Sequence, residues 1–352
     1  MTASVTSRDA HSGSASRTSR SLPTAALGLQ PASAPGLPAD ARSCALGLDA
    51  GGTGTRYVLV GAQGQVLAEG TGTPLSGVQL LDEAGQAAAD VTLGGIARAL
   101  PQLPQAVVAG VSGYDHALAP SLLPRLSQIF GCGAGAAKAM SDIELLCRAA
   151  FAPGDGIVLY AGTGSIAALL DAMGYLHRAG GRGATIDDAG GGHWIAREAL
   201  KRVWRAEDEE PGSWQRSPLA QALFEQVGGH EWHHTRHWVY GGPGAGARGK
   251  LGELATVVAA VAARDAAAMA LLEQAGRELA RLAQALMRRY GRHPLALAGR
   301  VFLLHPAVER GLAAALPAGT ELQTLRDSPH LLAAKLALRL VPQVAVSPGN
   351  AP

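Results

Sequence analysis

Aromatic side chains are scarce, at 4% of 352 residues. Base-stacking surfaces are built from such side chains, so the chain is not read as a nucleic-acid binder. Charge is also sparse: charged residues make up 16%, and 30 basic against 28 acidic side chains leave a formal +2, which implies no polyanion partner. Only three cysteines occur, Cys44, Cys132 and Cys147. An odd number without metal-ligand spacing is expected of reduced thiols in a cytoplasmic protein. No apolar run reaches the length that crosses a bilayer, so no membrane partner is expected.

What the chain has in quantity is small and apolar residues: hydrophobic residues are 47%, with 46 glycines. That is enough to bury a sizeable core, and it favours helices packed closely through small side chains. The first 43 residues stand apart. They are rich in Ser, Ala, Pro and Arg and cannot bury enough apolar surface to offset their ordering entropy, so a disordered tail is expected. A transit peptide has a similar composition, but no sustained amphipathic helix is present here.

From Ala45 onward the pattern is α/β. Strand "ALGLDA" runs into Gly51-Gly52-Thr53-Gly54-Thr55 and resumes as strand "RYVLVGA", followed by a Gly64-Gln65 turn and strand "QVLAEGTG". The glycine tip reads as a hairpin turn, and it is either an ordinary turn or a phosphate site. A helix is expected from about Leu80 to Leu100, a strand at 106–113 and a helix over "SDIELLCRAAF". Strand "GIVLYAGTGS" then repeats the opening plan about 110 residues later, with Gly162-Thr163-Gly164 at its tip and strand "IAALLDA" after it. Two related halves, each presenting a glycine turn to a shared cleft, are the expected organisation. A helix pair is expected over Leu251 to Arg289, a strand at 294–299, and a last helix starting at a Ser328 N-cap with Pro329 at its first position.

Two motifs match patterns whose context is missing. "HEWHH" at 230–234 fits H-E-x-x-H, but Gly228-Gly229 sits where the supporting helix should already run. "GAGARGK" at 244–250 fits G-x-x-x-x-G-K, but Leu251 stands where a phosphate loop needs Ser or Thr, and its G-x-G-x-x-G follows no strand. A loop between helices is the better account.

Phosphoryl transfer needs amides and Mg²⁺ to neutralise phosphates and a base to orient the acceptor hydroxyl. Nests of consecutive amides at Gly51–Thr55 and Gly162–Ser165 fit the first task. Asp49, ending the first strand, fits a Mg²⁺ ligand acting through water. Asp142, at the start of a helix, is a candidate base, with a first-turn acid stabilised by the helix dipole as the competing account. Asp187-Asp188 beside Gly190-Gly191-Gly192 pairs acid with flexible backbone, or is a solvated turn.

In order, "LDAGGTGTR", "GVSG", "SDIELL", "VLYAGTGSIA", "GGRGATIDDAGGGHWIAREAL" and "LAGRVF" resemble the BadF/BadG/BcrA/BcrD ATPase family, and within it the N-acetylglucosamine kinases. The resemblance covers about residues 45–342. It implies the actin/Hsp70/sugar-kinase fold: two RNase-H-like domains, expected at 44–153 and 154–352, with a central ATP cleft. The last helix has the option of packing back on the first domain. It implies that Asp49, Gly51, Gly52, Thr53, Gly54 and Thr55 form the first phosphate loop, and Gly162, Thr163, Gly164 and Ser165 the second. Gly299 and Arg300 would lie beside the adenosine, and Asp142 would take the sugar hydroxyl proton. Ser112, Gly181 and Asp188 match sugar-contacting positions, while Ser76 falls near an early substrate Asn and Arg182 replaces a Trp. Arg182 is suited to an acidic sugar, or is equally a surface residue.

The expected activity is therefore ATP- and Mg²⁺-dependent phosphorylation of an amino sugar, in a homodimer. The alternatives are an ATPase that activates a partner enzyme and a sugar-sensing regulator. The first needs interface cysteines for an iron–sulfur cluster, which Cys132 and Cys147 do not resemble. For the second, no helix-turn-helix precedes Ala45 and no Cys-rich zinc motif is present.

Overall fold

The structure, a computed structural model, describes residues 43–52, 54–241 and 248–341. The tail, Thr53 and the glycines of the 244–246 segment lie outside them. The elements in chain order are β1 (Cys44–Gly51), β2 (Gly54–Gly61), β3 (Val66–Gly72), α1 (Glu83–Ala99), β4 (Ala106–Val111), α2 (Ala119–Phe130), β5 (Ala137–Met140), α3 (Asp142–Ala150), β6 (Ile157–Ala161), β7 (Ser165–Leu170) and β8 (Leu176–Gly180). Then come α4 (Gly192–Glu209), α5 (Pro218–Val227), α6 (Trp232–Tyr240), α7 (Arg248–Gly252), α8 (Leu254–Val261), α9 (Ala266–Tyr290), β9 (Leu295–Ala298), α10 (Pro306–Ala315), β10 (Leu322–Thr324) and α11 (Pro329–Leu338).

The strands form two five-stranded sheets with one plan, β3-β2-β1-β4-β5 and β10-β9-β6-β7-β8. In each, an antiparallel three-strand meander leads, and two strands parallel to its first strand complete the sheet. Parallel neighbours need crossover connections, which is why helices alternate with strands after each meander. The tips β1–β2 and β6–β7 are therefore equivalent places in the two sheets.

Strand alternation sorts the core. Leu46, Leu48 and Ala50 of β1 join Leu93, Leu122 and Phe130 of α1 and α2 on one face. Ala45, Val58 and Val60 turn to the other face, against Leu145 of α3 and Ala333, Ala334 and Ala337 of α11. In the second sheet Ile157 and Leu159 pack under α4, α8 and α9. Val158, Ala168 and Ala296 face Ile143, Leu146 and Cys147 of α3 and Leu332 of α11. Helices α3 and α11 thus contribute to the cores of both sheets.

The small residues permit close approach. A Cβ on Gly276 would stand 2.1 Å from the Val308 carbonyl, and one on Gly311 2.0 Å from that of Glu273, so α9 and α10 meet backbone to backbone. Three strands escape recognition in the sequence: β5, β8 and β10 are short and lack β-branched runs. Ser328 does precede α11 with Pro329 at its first position, but its hydroxyl goes to His330 Nε2 at 3.2 Å and caps no helix amide. The cysteines are free, in keeping with reduced thiols, and all three are buried. Among the described residues no single helix is long and apolar enough to cross a membrane.

Candidate active site

Both glycine tips open onto one cleft of about 990 Å³. From the first tip Gly51, Gly54 and Thr55 line it, and from the second Gly164 and Ser165, with Asp49, Ser112, Asp142, Gly181, Arg182 and Asp188 around them. Gly52, Gly162, Thr163, Ser76, Gly299 and Arg300 do not line it.

Each tip is fixed by its backbone. At the first, Ser112 N donates to the Ala50 carbonyl at 2.8 Å and Leu75 N to that of Gly51 at 3.2 Å. At the second, Gly192 N donates to the Gly162 carbonyl at 2.8 Å and His193 N to that of Thr163 at 3.0 Å. The second tip therefore sits on the N-terminus of the 18-residue α4, where the helix dipole favours an anion. Two hydroxyls at the tips are already used. Thr55 Oγ1 donates to the Thr73 carbonyl at 2.8 Å and Ser165 Oγ to that of Ala189 at 2.7 Å. At Thr55 and Ser165 the tips therefore offer backbone rather than a free hydroxyl.

Asp142 is the first residue of α3, with Ser141 as the cap. Ser112 Oγ donates to its Oδ2 at 2.8 Å, and Ile143 N donates to its Oδ1 at 2.8 Å. A carboxylate so held keeps a lone pair on each oxygen for a substrate hydroxyl. Ser112 follows β4 and Asp142 follows β5, so adjacent parallel strands deliver the pair.

Burial, reinforced by the charge of Asp142, raises the Asp49 carboxyl above its usual value, with Arg56 and His330 opposing. Two carboxylates in one cleft suit a hard divalent cation with oxygen ligands. Among the described residues no cluster of three metal-binding side chains occurs, so a cation here would complete its shell with water or phosphate oxygens. Because the folded-state value is raised, stability is fully present below the unfolded value and is lost as pH rises through the folded one. Asp49→Asn is therefore expected to raise the Tm of the cation-free protein at neutral pH. The gap should narrow toward pH 4 in thermal unfolding; a gap independent of pH would contradict this cause.

Tyr160 was not singled out from sequence, because in "GIVLYAGTGS" it reads as one more apolar strand residue. It lines the cleft, and burial first, then Asp142 and Asp49, push its phenol up, with Arg300 and Arg56 opposing. It remains a neutral O–H donor in the cleft that the two acids also line.

Asp187 and Asp188 separate. Asp188 is buried in the cleft wall, with Oδ1 accepting from Gly183 N at 3.2 Å, whereas Asp187 Oδ2 pairs with exposed Arg281 at 2.9 Å. Ser76 is half-buried, its N–H and hydroxyl both directed to Gln79 Oε1 at 2.8 and 3.3 Å, although its neighbour Gly77 is bonded to the Ser112 carbonyl. Gly299 (φ 101°) backs onto β6, where a Cβ would lie 2.3 Å from the Ala161 carbonyl. "HEWHH" fails as a zinc motif: His230 precedes α6 and stacks on Trp214 at 4.8 Å, so His230 and His234 share no helix face.

A protein from Chromobacterium violaceum described as a candidate N-acetylglucosamine kinase has 26% identity and a TM-score of 0.61, covering 86% of this chain and 100% of its own. Another so described, from Porphyromonas gingivalis, has 18% identity and a TM-score of 0.64, covering 84% and 99%. A ROK-family glucokinase from Streptomyces griseus, in complex with glucose and AMPPNP, has 16% identity and a TM-score of 0.54, covering 84% and 100%. The fold is that of the two-domain actin-like ATPases and sugar kinases. The model of the BadF/BadG/BcrA/BcrD ATPase family matches residues 46–313, most of the chain, and the protein belongs to that family.

Proposed function

We propose that the protein is an ATP- and Mg²⁺-dependent sugar kinase whose acceptor is an amino sugar or a related acidic amino sugar. The observation that carries this reading is the Ser112–Asp142 pair, 2.8 Å apart, in the same cleft as two equivalent glycine tips. A nucleotide-driven activator has no need of a carboxylate oriented toward an acceptor hydroxyl.

In this reading Asp142 accepts the proton of the acceptor hydroxyl, and Ser112 holds its carboxylate in orientation. The two tips hold the phosphates through backbone amides, with the α4 N-terminus behind the second. Asp49 would hold Mg²⁺, which neutralises charge on the phosphates. Tyr160 supplies a hydroxyl donor to the same cleft. Gly299 and Arg300, beyond the cleft, are assigned to the adenosine by resemblance, and Ser76 to a sugar-side loop.

The activator reading loses support from the cysteines. Cys44 and Cys132 are buried in one core and Cys147 in another, and burial pushes the Cys147 thiol up to about 12, opposite to a ligating thiolate.

ADP release from ATP, measured over hexoses, N-acetylated amino sugars and sugar acids, is expected to rise several-fold with at least one amino sugar. EDTA should abolish that turnover and Mg²⁺ restore it without zinc. Sugar-independent ATPase activity across the panel would overturn the assignment.

A further inference from the structure

Two guanidinium groups of the cleft make no ion pair among the described residues, although Asp49, Asp142 and Asp188 also line it. Arg178, on β8, and Arg182, just beyond it, are exposed side chains lining the cavity that Asp142 and Ser112 also line. Neither guanidinium makes an ion pair or hydrogen bond among the described residues; Arg178 contributes only its carbonyl, to Arg289. Elsewhere Arg125, Arg148 and Arg281 are each held by a carboxylate. Of the arginines lining this cleft, Arg56 lies opposite Asp49 in the strand register and offsets it. Arg178 and Arg182 have no such partner. Between them lie Gly180 (φ 77°) and Gly181 (φ 64°), a left-handed turn that bends the chain end of β8 along the cleft wall.

Topology decides which ligand they meet. Across the second sheet the order is β9-β6-β7-β8, so the Gly299–Arg300 segment after β9 and the arginines at β8 flank the β6–β7 tip on opposite sides. Three strand spacings separate the two flanks, roughly 14 Å. In-line transfer needs nucleoside, phosphates and acceptor in sequence. With phosphates at the tip and adenosine at Gly299, the β8 flank is the acceptor's side.

Resting on the kinase reading, we infer that Arg178 and Arg182 form a subsite for a carboxylate carried by the acceptor, which makes the preferred substrate an acidic sugar. Guanidinium forks bind carboxylate in bidentate geometry, and a site that leaves two of them unpaired discriminates against neutral sugars. Phosphate shares this chemistry, so the competing source of the anion is the nucleotide triphosphate itself.

Two matched pairs separate these sources: N-acetylmuramic acid against N-acetylglucosamine, and glucuronate against glucose. Binding is measured by calorimetry with a non-hydrolysable ATP analogue present, and turnover by ADP release. In at least one pair the acid is expected to bind about tenfold more tightly than its neutral partner, with the preference falling as salt rises. Arg178→Gln and Arg182→Gln should each reduce that preference about fivefold or more, with Kd for the ATP analogue moving less than about twofold. Both positions are exposed, and an unchanged Tm verifies the fold of each variant. Equal or tighter binding of the neutral sugar in both pairs overturns the inference. So does a loss of ATP-analogue affinity matching the loss of acid affinity, which gives the guanidiniums to the triphosphate. Acid binding without any ADP release would sustain the subsite and overturn the kinase reading; turnover of neutral sugars without acid preference would do the reverse.

Discussion

Asp142→Asn is expected to lower kcat for sugar-dependent ADP release by about 10²- to 10⁴-fold, the usual worth of a positioned general base. The amide is isosteric with the carboxyl, and its oxygen still accepts from Ser112 or from Ile143 N, so the local geometry survives. What is lost is the capacity to take a proton. Two side effects have calculable signs. A negative charge in the first turn of α3 is removed, costing about 0.3–1 kcal/mol of stability through the helix dipole. The charge that helps raise Asp49 and Tyr160 also disappears, so Asp49 ionises at lower pH. Binding of the ATP analogue is therefore expected to persist while turnover collapses. Calorimetry beside steady-state kinetics reads both quantities, and full turnover in this variant would remove Asp142 from the chemistry.

Gly47→Ala is expected to destabilise the fold by roughly 3 kcal/mol or more, a large effect for one methyl group. A Cβ at this position in β1 would lie 2.0 Å from the His330 carbonyl and 2.3 Å from Ala334 N. Both are backbone atoms of α11, so no side-chain rotation relieves the overlap and the helix must lift from the sheet. Pro329, at the head of that helix, lines the cleft, and His330 shares the Nε2 hydrogen bond to Glu69 at 3.0 Å. Loss of stability should therefore come with loss of turnover. For a domain of this size the shift in Tm is about 5 °C, readable by calorimetry. Gly95→Ala in α1 is the matched control, because a Cβ there meets nothing within 4 Å. It is expected to stabilise by about 0.5–1 kcal/mol, the ordinary helix preference for Ala over Gly. If both variants melt together, close packing of α11 on β1 is not what Gly47 serves.

The elements most legible in the sequence are those whose signal is local. The meander β1–β2–β3 shows in alternating apolar residues and glycine turns, α9 in its helical period, and the doubled hairpin in the recurrence of "DAGGTGT" as "YAGTGS". Asp49 and Asp142 were found because a polar residue at the end of an apolar strand, or at a helix start, departs from its neighbours, whereas Ser112 was reached only through the family resemblance. Four-residue β5 and three-residue β10 have no such signature; their partners β4 and β9 make them strands.

Side-chain allegiance was decided only by the tertiary structure. Adjacent Asp187 and Asp188 diverge, one to Arg281 and one into the cleft, because the chain turns between them. Thr55 and Ser165 belong to the two tips, but their hydroxyls are used by carbonyls 18 and 24 residues away. Tyr160 is raised by burial and by two acids from the other half of the chain, Asp49 of β1 and Asp142 of α3, and Arg178 gained its place from the register of an edge strand that the sequence does not announce. By itself, the sequence determined the α/β plan, the two glycine tips and the acids beside them, since these depend on periodicity and backbone freedom within a few residues. Which polar groups are free to meet a ligand depends on partners distant in the chain, and only the folded cleft brings those partners together.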